Sequence, residues 1–152
     1  EIYQCDWSSD VCSSDLMLSI DGSPFSIERI RGKWVLLMAA GGACRADCAK
    51  KLFMLRQLRL AQGREMTRIE RVWLILDGVM PAGETVEAFA GTWLVRAAGS
   101  ELLKALPAEN GVEGYIYLAD PLGNLVLRYP LDADPTLIIK DITRLLKTSG
   151  IG

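Results

Sequence analysis

The chain has 152 residues, half of them hydrophobic, with 17 Lys and Arg against 19 Asp and Glu, four cysteines and no histidine. That composition excludes an intrinsically disordered chain, and the length suits one domain around a single core. Without histidine, Ser/His and Cys/His nucleophile pairs and imidazole metal ligands are excluded too.

Residues 5–16, Cys-Asp-Trp-Ser-Ser-Asp-Val-Cys-Ser-Ser-Asp-Leu, resemble the translation of a widely used sequencing adapter. Residues 1–16 are therefore read as a non-native leader, rich in Ser and Asp, without apolar periodicity and expected to be disordered. Residues 17–152 are expected to form one domain, and on this reading the natural amino terminus is missing. Setting the leader aside leaves Cys44 and Cys48. One functional pair is then a better account than the disulfide framework of a small secreted domain.

In the lead-in, Asp21-Gly22 and Ser23-Pro24 are turn signals, and Ser26 is placed to cap a helical turn reaching Arg31. Residues 34–40 are a continuous apolar run, the pattern of a strand buried on both faces. Gly41-Gly42-Ala43 is a flexible turn. Residues 47–62 read as a helix with Cys48, Leu52 and Leu55 in one stripe and Lys51, Arg56 and Arg59 expected to face water. Gly63 ends it.

Residues 69–77 contain a second buried strand, followed by a loop with Met80 and Pro81. A short helix over 84–90, a strand over 92–96 and a helix over 99–106, stopped by Pro107, come next. Residues 115–119 and 125–129 are strands joined by Asp120-Pro-Leu-Gly-Asn124, a hairpin signal. Asp134-Pro135 opens a last helix, with Leu137, Ile138, Ile142, Leu145 and Leu146 at helical spacing. Trp34, Trp73 and Trp93 fall in strands and are expected in the core. The longest uncharged stretch after the leader, residues 34–44, is far short of the ~20 residues that span a bilayer.

Charge is unevenly distributed. Residues 29–71 carry eleven of the 17 basic residues and only Asp47, Glu65 and Glu70 as acids. This is either the solvated face of a helix and its loop, or a surface for an acidic partner or an anionic membrane. No aromatic-rich binding motif accompanies it, so nucleic acid is not expected as a partner.

Cys44 and Cys48 sit where a central strand passes into a helix. A helix N-terminus offers unpaired N–H groups and the positive end of its dipole, both of which favour thiolate. Arg45, Lys50 and Lys51 add positive charge, partly opposed by Asp47. Cys44 is the expected attacking thiol and Cys48 the resolving one. A bridge between them needs Cα atoms near ~5.5 Å and Cys44 off the regular helix. The reduced pair also suits Cu(I), for which Met38 or Met80 is a further soft donor if it is not simply an apolar gap-filler. Structural zinc, wanting four ligands, does not fit. The plain alternative is two small buried residues. Asp77 is either a solvated loop residue or a proton relay to the pair.

The order strand, helix, strand, helix, strand, helix, hairpin, helix implies an α/β fold, a mixed central sheet flanked by helices, as in thioredoxin-like domains. Arg31-Gly-Lys-Trp-Val-Leu-Leu37, the CxxxC that follows, and Tyr115-Ile-Tyr-Leu-Ala-Asp-Pro-Leu-Gly-Asn124 together resemble the Sco/SenC branch of the thioredoxin superfamily. The resemblance covers about residues 22–147. It implies a domain on the periplasmic face of the inner membrane, anchored by an N-terminal helix absent from this chain. It also implies a role in assembling the copper centre of cytochrome c oxidase, as thiol–disulfide reductant or Cu(I) carrier. The implied partner is an oxidase subunit or another assembly factor.

By position, Cys44 and Cys48 are that family's paired thiols and its copper-binding cysteines. Where the family has its histidine copper ligand, this chain has Val112-Glu113-Gly114, so a two-Cys, one-His site is not available in one chain. The family's acid-and-proline segment is only loosely echoed by Asp77-Gly-Val-Met-Pro81, and no proline immediately precedes the Tyr115 strand. The alternatives are a non-catalytic assembly scaffold using the basic face, or a general thiol oxidoreductase.

Overall fold

The structure, a computed structural model, describes residues 17–109 and 111–149. The leader inferred for residues 1–16 lies outside them. The strands are β1 (Met17–Ser19), β2 (Pro24–Phe25), β3 (Trp34–Ala40), β4 (Ile69–Ile75), β5 (Thr92–Arg96), β6 (Tyr115–Ala119) and β7 (Leu125–Pro130). The helices are α1 (Ala46–Leu60), α2 (Gly83–Ala88), α3 (Glu101–Ala105) and α4 (Pro135–Ser149). One sheet runs in the order β2-β1-β5-β4-β3-β6-β7. Its centre is parallel: β3 pairs with β4, and β4 with β5. Its flanks are antiparallel, through β6 and β7 on one side and β1 and β2 on the other.

The hydrophobic pattern explains the layers. All seven residues of β3 are buried, because helices cover both faces of the parallel centre. Alternation then sorts them. Leu36 and Met38 join Trp73, Leu55, Leu58, Ile138, Ile142 and Leu146 on the side of α1 and α4. Val35 and Leu37 join Val72, Val95, Leu102, Leu106 and Tyr117 on the other. Fully burying each such side chain contributes roughly 1.5–3 kcal/mol. At the β6–β7 hairpin, Asp120 Oδ1 accepts from the N–H groups of Leu122 and Asn124 at 3.0 and 2.9 Å, closing the turn.

Five expectations need correction. The lead-in forms two short strands, β1 and β2, in addition to turns. Ser26 precedes a 3-10 turn at Ile27–Ile30 without a side-chain capping bond. Leu137 is 57% exposed, so the buried stripe of α4 is Ile138, Ile142 and Leu146. Trp93 is only half-buried, its indole N–H donating to Glu70 at 2.9 Å. Lys51 does not face water: it is 1% exposed, while Arg56 and Arg59 are half-buried. Among the described residues, no helix is long and apolar enough to cross a membrane.

Candidate functional site

The parallel strands β3 and β4 end together, with Ala40 beside Ile75, and the segments that follow form one rim. The carbonyl of Ala40 accepts from the Trp73 indole N–H and the Leu76 N–H, both at 3.1 Å, which fixes where β3 stops. The chain then turns through Gly41 and Gly42, and the Cys44 N–H donates back to the Gly41 carbonyl at 3.2 Å. Cys44 has φ of 50°, the left-handed region that residues with a Cβ rarely adopt. Glycine would relieve that conformation but has no side chain with which to bridge. Helix α1 begins two residues later, so Cys44 lies outside it and Cys48 in its first turn.

The two are joined as a disulfide with a Cα separation of 4.9 Å, inside the range a bridge requires. Cys44 is half-buried, whereas Cys48 is 5% exposed. The bridge is therefore reached from the Cys44 side. It lies in a cleft of about 430 Å³ that Lys51, Asp77, Val79 and Glu113 also line.

Asp77 is fastened to the glycine turn. Its Oδ1 accepts from the Gly42 N–H at 3.0 Å and the Val79 N–H at 3.1 Å. The Gly42 and Val79 bonds hold the carboxyl below its ordinary pKa of 3.8, since both stabilise the anion. The approach of the two loops leaves no room for a larger residue at position 42: a Cβ there would lie 1.7 Å from the Val79 carbonyl oxygen. Glycine at 42 is thus a packing requirement. Asp77 clamps the loops that carry the bridge, a structural task.

Lys51, one turn beyond Cys48, is expected from the sequence as a positive charge near the pair, but its burial and its main-chain partners are not. Its ammonium donates to the Ala39 carbonyl at 2.6 Å and to the Glu113 carbonyl at 2.7 Å. Charge-assisted bonds of that length are among the stronger ones available to a lysine. They tie the end of β3 to the 3-10 turn Val112–Gly114 that leads into β6. Burial pushes the Lys51 pKa down, while the negative charges of Glu113 and Asp47 oppose that shift. Two bonds occupy two of the three ammonium N–H donors. A cation in the cleft favours thiolate over thiol when the bridge opens.

The turn Val112–Gly114, where the resemblance leads one to look for a histidine, does reach this cleft. It contributes a carbonyl to Lys51 and the exposed Glu113 side chain to the lining. Of the two methionines considered as donors, Met38 is fully buried in the α1-side core and Met80 is 51% exposed in the β4–α2 loop. Neither lines the cleft. Arg45 is exposed and lines the cleft, whereas Lys50 is exposed but is not part of its lining. Among the described residues there is no group of three or more His, Cys, Asp or Glu arranged to hold a metal ion.

Solved structures share this architecture. Yeast Sco1 with copper bound aligns at TM-score 0.73 with 16% identity, over 88% of this chain and 90% of that one. Bradyrhizobium japonicum ScoI with copper bound aligns at 0.63 with 19% identity, over 86% and 96%. A putative protein disulfide isomerase from Bacteroides thetaiotaomicron aligns at 0.65 with 18% identity, over 89% and 87%. No curated protein matches the chain in sequence. The family described as transmembrane-like, thioredoxin-like, C-terminal domain matches residues 34–149, from β3 through α4 and including both cysteines. With a Sco-like thioredoxin fold and most of its length within that match, the chain belongs to this transmembrane-like, thioredoxin-like family.

Proposed function

We propose that this chain is a Sco-like thiol–disulfide protein whose Cys44/Cys48 pair reduces a disulfide on a partner during assembly of the cytochrome c oxidase copper centre. The observation that carries the reading is the asymmetry of the pair: Cys44 is off the helix and open to the cleft, while Cys48 is buried behind it. In the reduced protein, the Cys44 thiolate attacks one sulfur of the partner disulfide. The S–S bond breaks, a mixed disulfide forms, and the first partner thiolate leaves. The Cys48 thiolate then attacks the Cys44 sulfur. That closes the Cys44–Cys48 bridge and releases the second partner thiolate. The partner gains two electrons and, from solvent, two protons; the pair loses the same. Lys51 keeps a positive charge near the sulfurs while thiolate is present.

A second reading, in which the reduced pair carries Cu(I) as cargo, is favoured by the fold shared with the two copper-bound Sco structures. Two thiolates suit a soft ion that accepts low coordination numbers. On either reading residues 17–152 are a single domain, working on the periplasmic face of the inner membrane behind an N-terminal tether. The partner is an oxidase subunit or an assembly factor.

Trapping separates the thiol–disulfide reading from a scaffold. Cys48→Ser is expected to accumulate a mixed disulfide with its partner, visible as a reducible band, and Cys44→Ser to abolish it. A scaffold retains full function in both variants and traps nothing. Anaerobic Cu(I) competition titration of the reduced protein tests the cargo. Stoichiometric binding lost in Cys44→Ser supports it, and no binding removes copper from the account.

A further inference from the structure

Away from the cleft, three arginines of the basic segment converge without a carboxylate. Arg71 lies in β4 between Ile69 and Trp73, whose side chains are in the α1-side core, and strand alternation puts it on that side too. It is 6% exposed. Its Nη2 donates to the Ala90 carbonyl at 2.9 Å, but its buried Nε and Nη1 have no acceptor among the described residues.

Arg56 and Arg59 come down from α1. Arg56 Nη1 donates to the Ala88 carbonyl at 2.9 Å and Arg59 Nε to the Ile69 carbonyl at 2.8 Å. Neither is in an ion pair: the pairs among the described residues are Arg31–Glu28, Arg68–Glu65, Lys104–Glu101 and Arg144–Asp141. Burial, then the charges of Arg59 and Arg56, push the Arg71 pKa down. The charge of Glu70, next in sequence, opposes that shift, but its side chain points to the opposite face and accepts from Trp93.

A buried guanidinium with open donors, surrounded by further positive charge, is strongly unfavourable unless an anion completes it. The backbone makes room for the guanidinium itself. Gly91, at φ of +93°, lies so close that a Cβ would come within 2.8 Å of Arg71 Nη2. We propose that Arg56, Arg59 and Arg71, around the turn between α2 and β5, form a binding site for a phosphate group. Three guanidinium groups call for more than the single charge of a carboxylate, and phosphate brings close to two negative charges and several strong acceptor oxygens.

The route in is past Arg56 and Arg59, which are half-buried. Arg56 lies over the Phe89 ring at 4.9 Å and the Phe53 ring at 5.4 Å. Phe53 and Leu60, about half exposed on the same helix, allow the phosphate to be a lipid headgroup as well as a free ion.

The test is thermal unfolding of the full chain in inorganic phosphate against sodium chloride at equal ionic strength. Wild type is expected to gain roughly 3–6 °C at saturating phosphate over chloride. Arg71→Met is expected to lose that gain entirely, and Arg56→Gln/Arg59→Gln, at half-buried positions, to lose most of it even if Arg71→Met does not fold. Co-sedimentation with vesicles of phosphatidylcholine and phosphatidylglycerol identifies the source. Binding that inorganic phosphate competes away assigns a lipid headgroup, and no sedimentation alongside a phosphate-specific shift assigns a soluble phosphate. Equal shifts in phosphate and chloride, or a phosphate-specific shift that survives in the arginine variants, would overturn the proposal. The test does not involve the cysteines, so it stands or falls separately from the thiol function.

Discussion

Lys51 and Arg71 are both buried cations on the α1 side of the sheet, yet their surroundings differ. Lys51 donates to two main-chain carbonyls within 2.7 Å and closes the wall of the disulfide cleft. Arg71 donates to one carbonyl and leaves Nε and Nη1 open, with two more arginines close by. Burying a charge costs several kcal/mol in either place. At the disulfide end the fold offsets that cost internally, by joining β3 to the turn before β6. At the arginine end it does not, and the offset must come from a ligand. A buried charge is informative when its partners are counted as well as its burial.

The glycines at the two ends sharpen the contrast most. Gly42→Ala sets a Cβ against the Val79 backbone, which has no flexible end to yield. A loss of about 3 kcal/mol or more is expected in denaturant unfolding. Gly91→Ala meets the tip of a guanidinium that can shift, so its cost is chiefly the left-handed backbone, about 1–2 kcal/mol. Similar losses at both sites would break the distinction between a built end and an open one.

Next come the cations themselves. Lys51→Met orphans the Ala39 and Glu113 carbonyls and is expected to cost about 2–4 kcal/mol. Arg71→Met in phosphate-free buffer removes a charge that was never completed. It is expected to fall within about 1 kcal/mol of wild type or to stabilise the protein. A Lys51 variant as stable as wild type would mean that the two carbonyl bonds do no more than repay the burial of the ammonium.

Redox behaviour separates the two residues in another way. Removing the Lys51 charge withdraws stabilisation from the reduced, thiolate form. Lys51→Met should shift the reduction potential of the pair by roughly 10–30 mV to more negative values, while Arg71→Met leaves it unchanged.

The smallest effect is the acid response at the disulfide end. Asp77 has a pKa below its ordinary 3.8. Its contribution is therefore fully present above that ordinary value and is lost as pH falls through the lower folded value. Asp77→Asn should lower stability at neutral and alkaline pH and flatten the acid limb of the profile, the two proteins converging in acid. An unchanged acid limb would show that the Gly42 and Val79 bonds do not depend on the charge.

Much of this was legible in the residue pattern. The apolar runs of β3 and β4, the turn residues around Asp120 and the spacing of Ile138, Ile142 and Leu146 carry the architecture, because periodic burial leaves a periodic trace. Cys44 and Cys48 were legible as a pair from the strand–glycine–helix context. The burial of Lys51 is not legible, because a lysine side chain ordinarily signals solvent. Its position gave a usable clue: 51 falls with 48, 52, 55 and 58 on the buried stripe of α1, while Phe53 and Leu60 sit on the exposed side.

The strands β1 and β2, of three and two residues, are too short to show a period. In the sequence Arg71 is one charge of a basic run. Its burial depends on strand pairing and on the turn at Gly91, which a local pattern does not contain.

The central claim is that the Cys44–Cys48 bridge is a working redox couple and not a staple, and its reduction potential tests this most directly. Equilibration of the full chain with defined thiol–disulfide buffers, read by alkylation and mass, gives the value. The account predicts a potential above about −300 mV, within reach of biological thiol couples, and a single two-electron transition. A potential well below about −300 mV, the range of structural disulfides, would contradict it.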